Sequence, residues 1–147
     1  MQIKRTGIVG LAAAATLISG YACADEVVIK AAGVKFDPAV AFVKAGDTIK
    51  FTNMAGHDAV SIEGMIPDGA QGWKSKVGEE LAVTLDKEGA YIYKCTPHVG
   101  NGMVSAIVVG EAAPANLEAI KANPEYQGMI KRAVTQLEEA LAARGGE

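Results

Sequence analysis

Ala90-Tyr91-Ile92-Tyr93-Lys94-Cys95-Thr96-Pro97-His98-Val99-Gly100-Asn101-Gly102-Met103-Val104-Ser105-Ala106-Ile107-Val108-Val109 reads as two extended apolar segments joined by a short loop. Tyr, Ile and Val suit strands, so Ala90 to Lys94 and Met103 to Val109 are expected to be strands. Pro97 stiffens the connection, while Gly100 and Gly102 permit turns that other residues resist. Cys95 ends one strand and Met103 begins the next, so a hairpin-like connection brings both sulfurs to one rim, with His98 projecting from the loop tip.

That loop has the residues for holding one soft metal ion. A thiolate, an imidazole and a thioether suit copper better than any hard cation, and two histidines, a cysteine and a weak axial methionine are the ligand set of an electron-transfer copper site. The set asks for a second imidazole, and the chain holds only one other histidine, His57, beside a further expected strand. His57, Cys95, His98 and Met103 are therefore the expected ligands of one type 1 copper ion. Cys-x-x-His also has a zinc reading, and a Cys/His pair has a thiol-enzyme reading. Zinc would recruit further cysteine or histidine ligands rather than methionine, and a nucleophile–base pair lacks a third orienting group at recognisable spacing. A rival within copper chemistry is a copper-handling protein that stores or delivers the metal, against which the rigid loop argues.

Working outward, the chain before this loop follows period two with turn punctuation. Glu26 to Lys30, Val40 to Lys44, Asp47 to Asn53, Ala59 to Ile62 and Leu81 to Leu85 are expected strands. Phe36-Asp37-Pro38 closes a loop, Ala45-Gly46 is a tight connection, and Gly64 to Gly72, with three glycines and Pro67, is irregular. Seven or eight short strands at this spacing predict a mainly β, antiparallel sandwich. After Gly110 the pattern changes. A short helix is expected from Pro114-Ala115-Asn116-Leu117 to near Asn123, and Asn123-Pro124 is expected to cap a second. In the second, Ile130, Val134, Leu137 and Leu141 recur at three or four, and Gly145 can stop it. The domains expected are 1–24 as a leader, 25–110 as the sandwich with its copper site, and 111–147 as a helical extension packed on the sandwich.

The leader reading rests on Lys4 and Arg5, the uncharged run from Gly7 to Ser19, and the small residues of Ala22-Cys23-Ala24. This is expected to be a signal peptide with cleavage after Ala24, its apolar run being shorter than the roughly 20 residues of a membrane span. A lipid-bearing Cys23 is the other reading, weakened by Gly20 three residues before it. Loss of residues 1–24 takes away Lys4 and Arg5 and leaves 12 basic against 17 acidic residues, a net charge of −5. That balance, with no basic run and no phosphate-cradling glycine loop, argues against nucleic acid. The mature chain would then hold one cysteine, unable to pair internally in an oxidising compartment, so a metal-bound thiolate accounts for it.

Gly46-Asp47-Thr48, His57 and the Cys95 to Met103 loop resemble the cupredoxins, and the wider match is to the pseudoazurin family. Gly64-Met65-Ile66-Pro67-Asp68-Gly69-Ala70, Lys74-Ser75-Lys76, Lys94-Cys95-Thr96-Pro97-His98 and Ala113-Pro114-Ala115-Asn116-Leu117-Glu118-Ala119 look like that family's segments. The resemblance spans roughly Gly46 to Leu141. It implies a Greek-key β-sandwich with two C-terminal α-helices, and a periplasmic electron carrier that is not an enzyme. It also implies the same four copper ligands, with Asp58, Thr96 and Pro97 supporting them. A nitrite reductase or other respiratory reductase would be the acceptor and a cytochrome or dehydrogenase the donor, with the carrier a monomer without a membrane anchor. Lys35, Lys74, Lys76 and Lys94 are the candidates for a cationic ring that meets acidic partners around the exposed edge of His98. Three positions depart from the family's pattern: Asp58 stands for an asparagine, Val99 for an aromatic residue and Asn101 for an apolar methionine. A carboxyl at 58 lacks the amide's donors, and its negative charge favours Cu(II).

Overall fold

The computed structural model describes residues 23–145; the expected leader, apart from its last two residues, lies outside them. Eight strands run in the order β1 (Glu26–Ala32), β2 (Lys35–Asp37), β3 (Val40–Val43), β4 (Asp47–Thr52), β5 (Val60–Ser61), β6 (Leu81–Leu85), β7 (Gly89–Lys94) and β8 (Val104–Val109). Two helices follow, α1 (Leu117–Lys121) and α2 (Gly128–Arg144). The strands form two four-stranded sheets, β2-β1-β4-β6 and β3-β8-β7-β5, packed as a sandwich. The expected sandwich with two terminal helices is what forms.

Strand directions are mixed rather than uniformly antiparallel. β1 runs parallel to β4, pairing Glu26 with Thr48 through Lys30 with Thr52, and β3 runs parallel to β8, pairing Val40 with Ala106 through Val43 with Val109. A parallel pair needs a crossover connection. Here β2 and β3 supply it: the chain leaves β1, visits the facing sheet as β3, and returns through Ala45-Gly46 into β4. Phe36, expected only to close a loop, lies in the short β2 and is buried against Tyr93, ring centroids 4.8 Å apart.

The residue pattern explains which faces are covered. In β4, Asp47, Ile49 and Phe51 are buried while Thr48, Lys50 and Thr52 are partly exposed, as alternation requires of a sheet wet on one side. β8 is buried at every position, which accounts for its nearly unbroken apolar run. Ile107 and Val109 face the sandwich interior with Ile29, Ile49, Phe51, Trp73 and Tyr91. Val104, Ala106 and Val108 face the other way, into a second core with Ile120, Ile130, Ala133, Val134 and Leu137 of the helices. The apolar stripe on α2 thus packs as its periodicity predicts.

The start of α2 does not follow expectation. Asn123-Pro124 forms a turn, in which the Asn123 Oδ1 accepts the Glu125 N–H (2.9 Å), and the helix begins only at Gly128. The Asn123 amide is committed elsewhere, donating to the Glu63 carbonyl (3.0 Å) across a tight approach to Gly64, whose φ of +73° favours glycine. The side chain thus closes a local turn and ties it to the Glu63 segment, and the helix starts only after that turn.

Candidate metal centre

The centre is built first by the hairpin between β7 and β8. Cys95 N–H donates to the Met103 carbonyl (2.9 Å), so the ladder closes at the two sulfur-bearing residues, both fully buried in the sandwich core. Between them Thr96–Asn101 is a 3-10 helix with Pro97 in its first turn, where its missing N–H costs nothing. Gly102 ends it in the left-handed region at φ +88°, donating to the Val99 carbonyl (3.0 Å). His98 is held at both ends of its backbone. Its N–H reaches the Cys95 carbonyl (3.1 Å), and its carbonyl accepts from Met103 (3.1 Å).

His57 arrives from the other side of the sandwich rim, on the segment between β4 and β5. A turn with Gly56 at φ +78° lets the His57 N–H reach the Met54 carbonyl (2.8 Å). Asp58, buried, binds the two halves of the site together, because its Oδ1 accepts the backbone N–H of Thr96. Buried Ser75 holds the same segment from below: its Oγ accepts the Ala59 N–H (2.9 Å), and Gly78 donates to the His57 carbonyl (2.8 Å). Ser75 is a supporting residue that residue chemistry alone misses, since a serine between two surface lysines carries no signal for burial.

The result is a compact donor set. Cys95 Sγ lies 3.7 Å from His57 Nδ1 and 3.5 Å from His98 Nδ1, and the three donor atoms are all within 4.8 Å of one another. Donors around a central ion in a plane stand apart by about 1.7 bond lengths, or about 3.5–4 Å for nitrogen and sulfur bonds of about 2.0–2.3 Å. The spacing fits one ion. Burial pushes the Cys95 thiol above its ordinary value, while the backbone N–H groups of Asp58 and His98 act in the opposite sense and the Asp58 carboxyl adds to the rise. A thiol shielded from water and ringed by donors is poor as a free nucleophile and well suited to a metal that displaces its proton. Both histidines are partly exposed.

The four candidate docking lysines fall around this rim. Lys74 and Lys76, exposed, flank Ser75 beside the His57 segment, and exposed Lys35 lies near Gly102. Lys94 is half-buried and pairs with Glu125 (3.2 Å). Its charge is already answered within the chain, by an acid that the sequence pattern did not single out.

Residues 23–110 match the family of copper binding proteins described as plastocyanin/azurin. The chain is 46% identical over 123 residues to a pseudoazurin of Methylorubrum extorquens, covering 76% of this chain and 82% of that one. It is 35% identical over 140 residues to a pseudoazurin of Paracoccus pantotrophus, covering 89% and 93%. The crystal structure of pseudoazurin from Methylobacterium extorquens AM1 superposes with a TM-score of 0.69 at 41% identity, covering 78% of this chain and 98% of that one. With a sulfur–nitrogen donor set at copper spacing already in place, the chain belongs to the plastocyanin/azurin family of copper-binding proteins and, within it, to the pseudoazurins, type 1 copper electron carriers.

Proposed function

We propose that His57, Cys95, His98 and Met103 hold the copper of a periplasmic carrier that delivers electrons to a nitrite reductase or other respiratory reductase and draws them from a cytochrome or dehydrogenase. The observation that carries this reading is the convergence of His57, Cys95 and His98 donor atoms within 4.8 Å of one another. When bound, copper supplies the one-electron Cu(II)/Cu(I) couple. The chain supplies a frame that keeps its shape. Cys95 and Met103 are pinned to one another through the hairpin, His98 is fixed at both backbone ends, and Asp58 ties Thr96 to the His57 segment. Donors held by a rigid sheet move little on a change of oxidation state, which keeps the barrier to electron transfer low. Met103, buried in the same core as Cys95, would supply the thioether, while partly exposed His98 would face the partner.

The periplasmic reading includes cleavage after Ala24. Asp25 is already tied into the sandwich, its N–H on Asp47 Oδ1 (2.9 Å) and its carbonyl accepting from Thr48 (2.9 Å), which supports a folded domain beginning there. No helix among the described residues is long and apolar enough to cross a membrane. The carrier is proposed to act as a monomer.

Adding Cu(II) to the purified protein and recording its visible and spin-resonance spectra tests the reading. A strong thiolate-to-copper band that Cys95→Ser abolishes is expected, with fast self-exchange of electrons. Ready transfer of the copper to an acceptor, with slow self-exchange, would point to metal handling instead.

A further inference from the structure

A cavity of about 280 Å³ opens where β8 leaves the ligand loop, between the β1–β2 turn and α2. It exists because β3, which covers that side of β8, begins only at Val40 opposite Ala106, so Val104 and Ser105 have no strand beside them there. Buried Phe36 and Ser105 line it from within, Gly102 of the ligand loop and exposed Met129 of α2 form its sides, and exposed Lys35 and Arg132 bring it two cations and no acid. We infer that this slot receives an acidic residue presented by the redox partner, so that docking engages α2 as well as the ligand loop. The inference rests on the carrier reading above.

Charge is the first argument. The chain is acidic overall, at −3, and Lys50, Lys94, Lys121 and Arg144 are each answered by a glutamate. Lys35 and Arg132 form no ion pair among the described residues, so two unanswered cations flank one opening. A guanidinium offers a carboxylate a two-pronged hydrogen bond in fixed geometry, and an ammonium beside it adds a flexible point charge. Phe36 and Met129 meanwhile give the carbon stem of an acidic side chain an apolar lining, the thioether adapting its shape to what enters.

The second argument separates a protein from a free acid. Met129 is shared with a second depression of about 270 Å³ beside the ligand loop, lined also by Val99, Gly100, Gln127, Ile130 and Glu125, the last already paired with Lys94, and its exposed surface is mostly apolar. A small anion would fill the cationic slot and leave the apolar one in water. A partner surface with an acidic residue beside an apolar one covers both. This puts α2 in contact with the partner at the edge of the ligand loop.

The test uses the copper(I)-loaded full protein and hexacyanochromate(III), a redox-inert paramagnetic trianion, as the probe. Amide signals of Lys35, Gly102 and Arg132 are expected to broaden, and Arg132→Glu is expected to remove that broadening. Broadening confined to Lys74 and Lys76 overturns the inference. Delivery of electrons to a copper nitrite reductase is then followed by stopped flow. Arg132→Glu should slow it roughly tenfold at low salt with a flatter salt dependence, whereas Lys44→Glu, the same charge change at the far end of the sandwich, should have a much smaller effect. Gln136 of α2 also lines the slot; Gln136→Trp, which plugs it without changing charge, should also slow delivery, and a plugged variant as fast as the parent overturns the proposal. Free glutarate that saturates the slot without slowing delivery assigns it to a small acid and overturns docking. Each variant is checked for the thiolate–copper band, which reports folding. A parent protein lacking that band defeats the carrier reading itself, whereas one that keeps the band but shows no anion at the slot defeats only this inference.

Discussion

Asp58 and Asp47 show how a single carboxyl acts differently by place. Asp58 sits between the histidine segment and the cysteine loop, accepting the Thr96 N–H while its own backbone N–H helps stabilise the Cys95 sulfur. Asp58→Asn keeps an acceptor for Thr96 and removes a negative charge from beside the sulfur. The reduction potential is expected to rise by about 40 mV, the equivalent of about 1 kcal/mol for a one-electron couple. Voltammetry returning an equal or lower value for the variant would remove that account. Asp47 is structural. The N–H groups of Lys44 (2.8 Å) and Asp25 (2.9 Å) hold its carboxyl below the ordinary value of 3.8, with burial opposing them. A group depressed on folding stabilises the native state above its unfolded value, and that contribution is lost as pH falls through the lower, folded value. Asp47→Ala should therefore cost about 1–3 kcal/mol at neutral pH. Denaturant midpoints of the parent and variant should converge as the pH is lowered below about 4, and a gap constant with pH would refute the assignment.

At the level of elements, β8 and α2 depend on one another. The run Val104 to Val109 is apolar at five of six positions because both of its faces are covered, one by the opposite sheet and one by α2. Leu137, fully buried between α2 and that sheet, is the test. Leu137→Ala should lower stability by about 2–5 kcal/mol through lost burial and a residual cavity. The thiolate–copper band should be unchanged in the folded variant, because Cys95 and Met103 lie in the sandwich core whereas Leu137 packs in the second core on the other face of β8. A weakened band in folded protein would show that the helix also sets the site. Period-two and period-3.6 patterns made the strands and the stripe of α2 readable, since each records which side of an element meets water. The start of α2 was not readable, because the Asn123 side chain closes a turn on Glu125 and is anchored to Glu63, 60 residues away, and that distant partner is visible only in the fold.

For the molecule as a whole, the proposed copper donors His57 and Cys95 come from segments 38 residues apart, and meet because the sandwich puts the β4–β5 and β7–β8 connections at one rim. A ligand bound only by the folded arrangement stabilises it by mass action. Cu(II) at a thousandfold excess over its dissociation constant should add about 4 kcal/mol and raise the melting temperature, and chelation should reverse the gain. A melting curve indifferent to copper would mean that the donors do not act as one site. Local chemistry was enough to point to copper, since a cysteine, a methionine and two histidines leave few soft-metal alternatives, and alternation was enough for a sandwich of short strands capped by amphipathic helices. The parallel pairings of β1 with β4 and β3 with β8, the Lys94–Glu125 pair, and the open end of β8 that makes the slot were decided only in three dimensions. The physical reason is that side-chain periodicity encodes what each residue faces in its own element, whereas strand order, charge pairing and the gaps between elements arise from contacts between residues far apart in the chain.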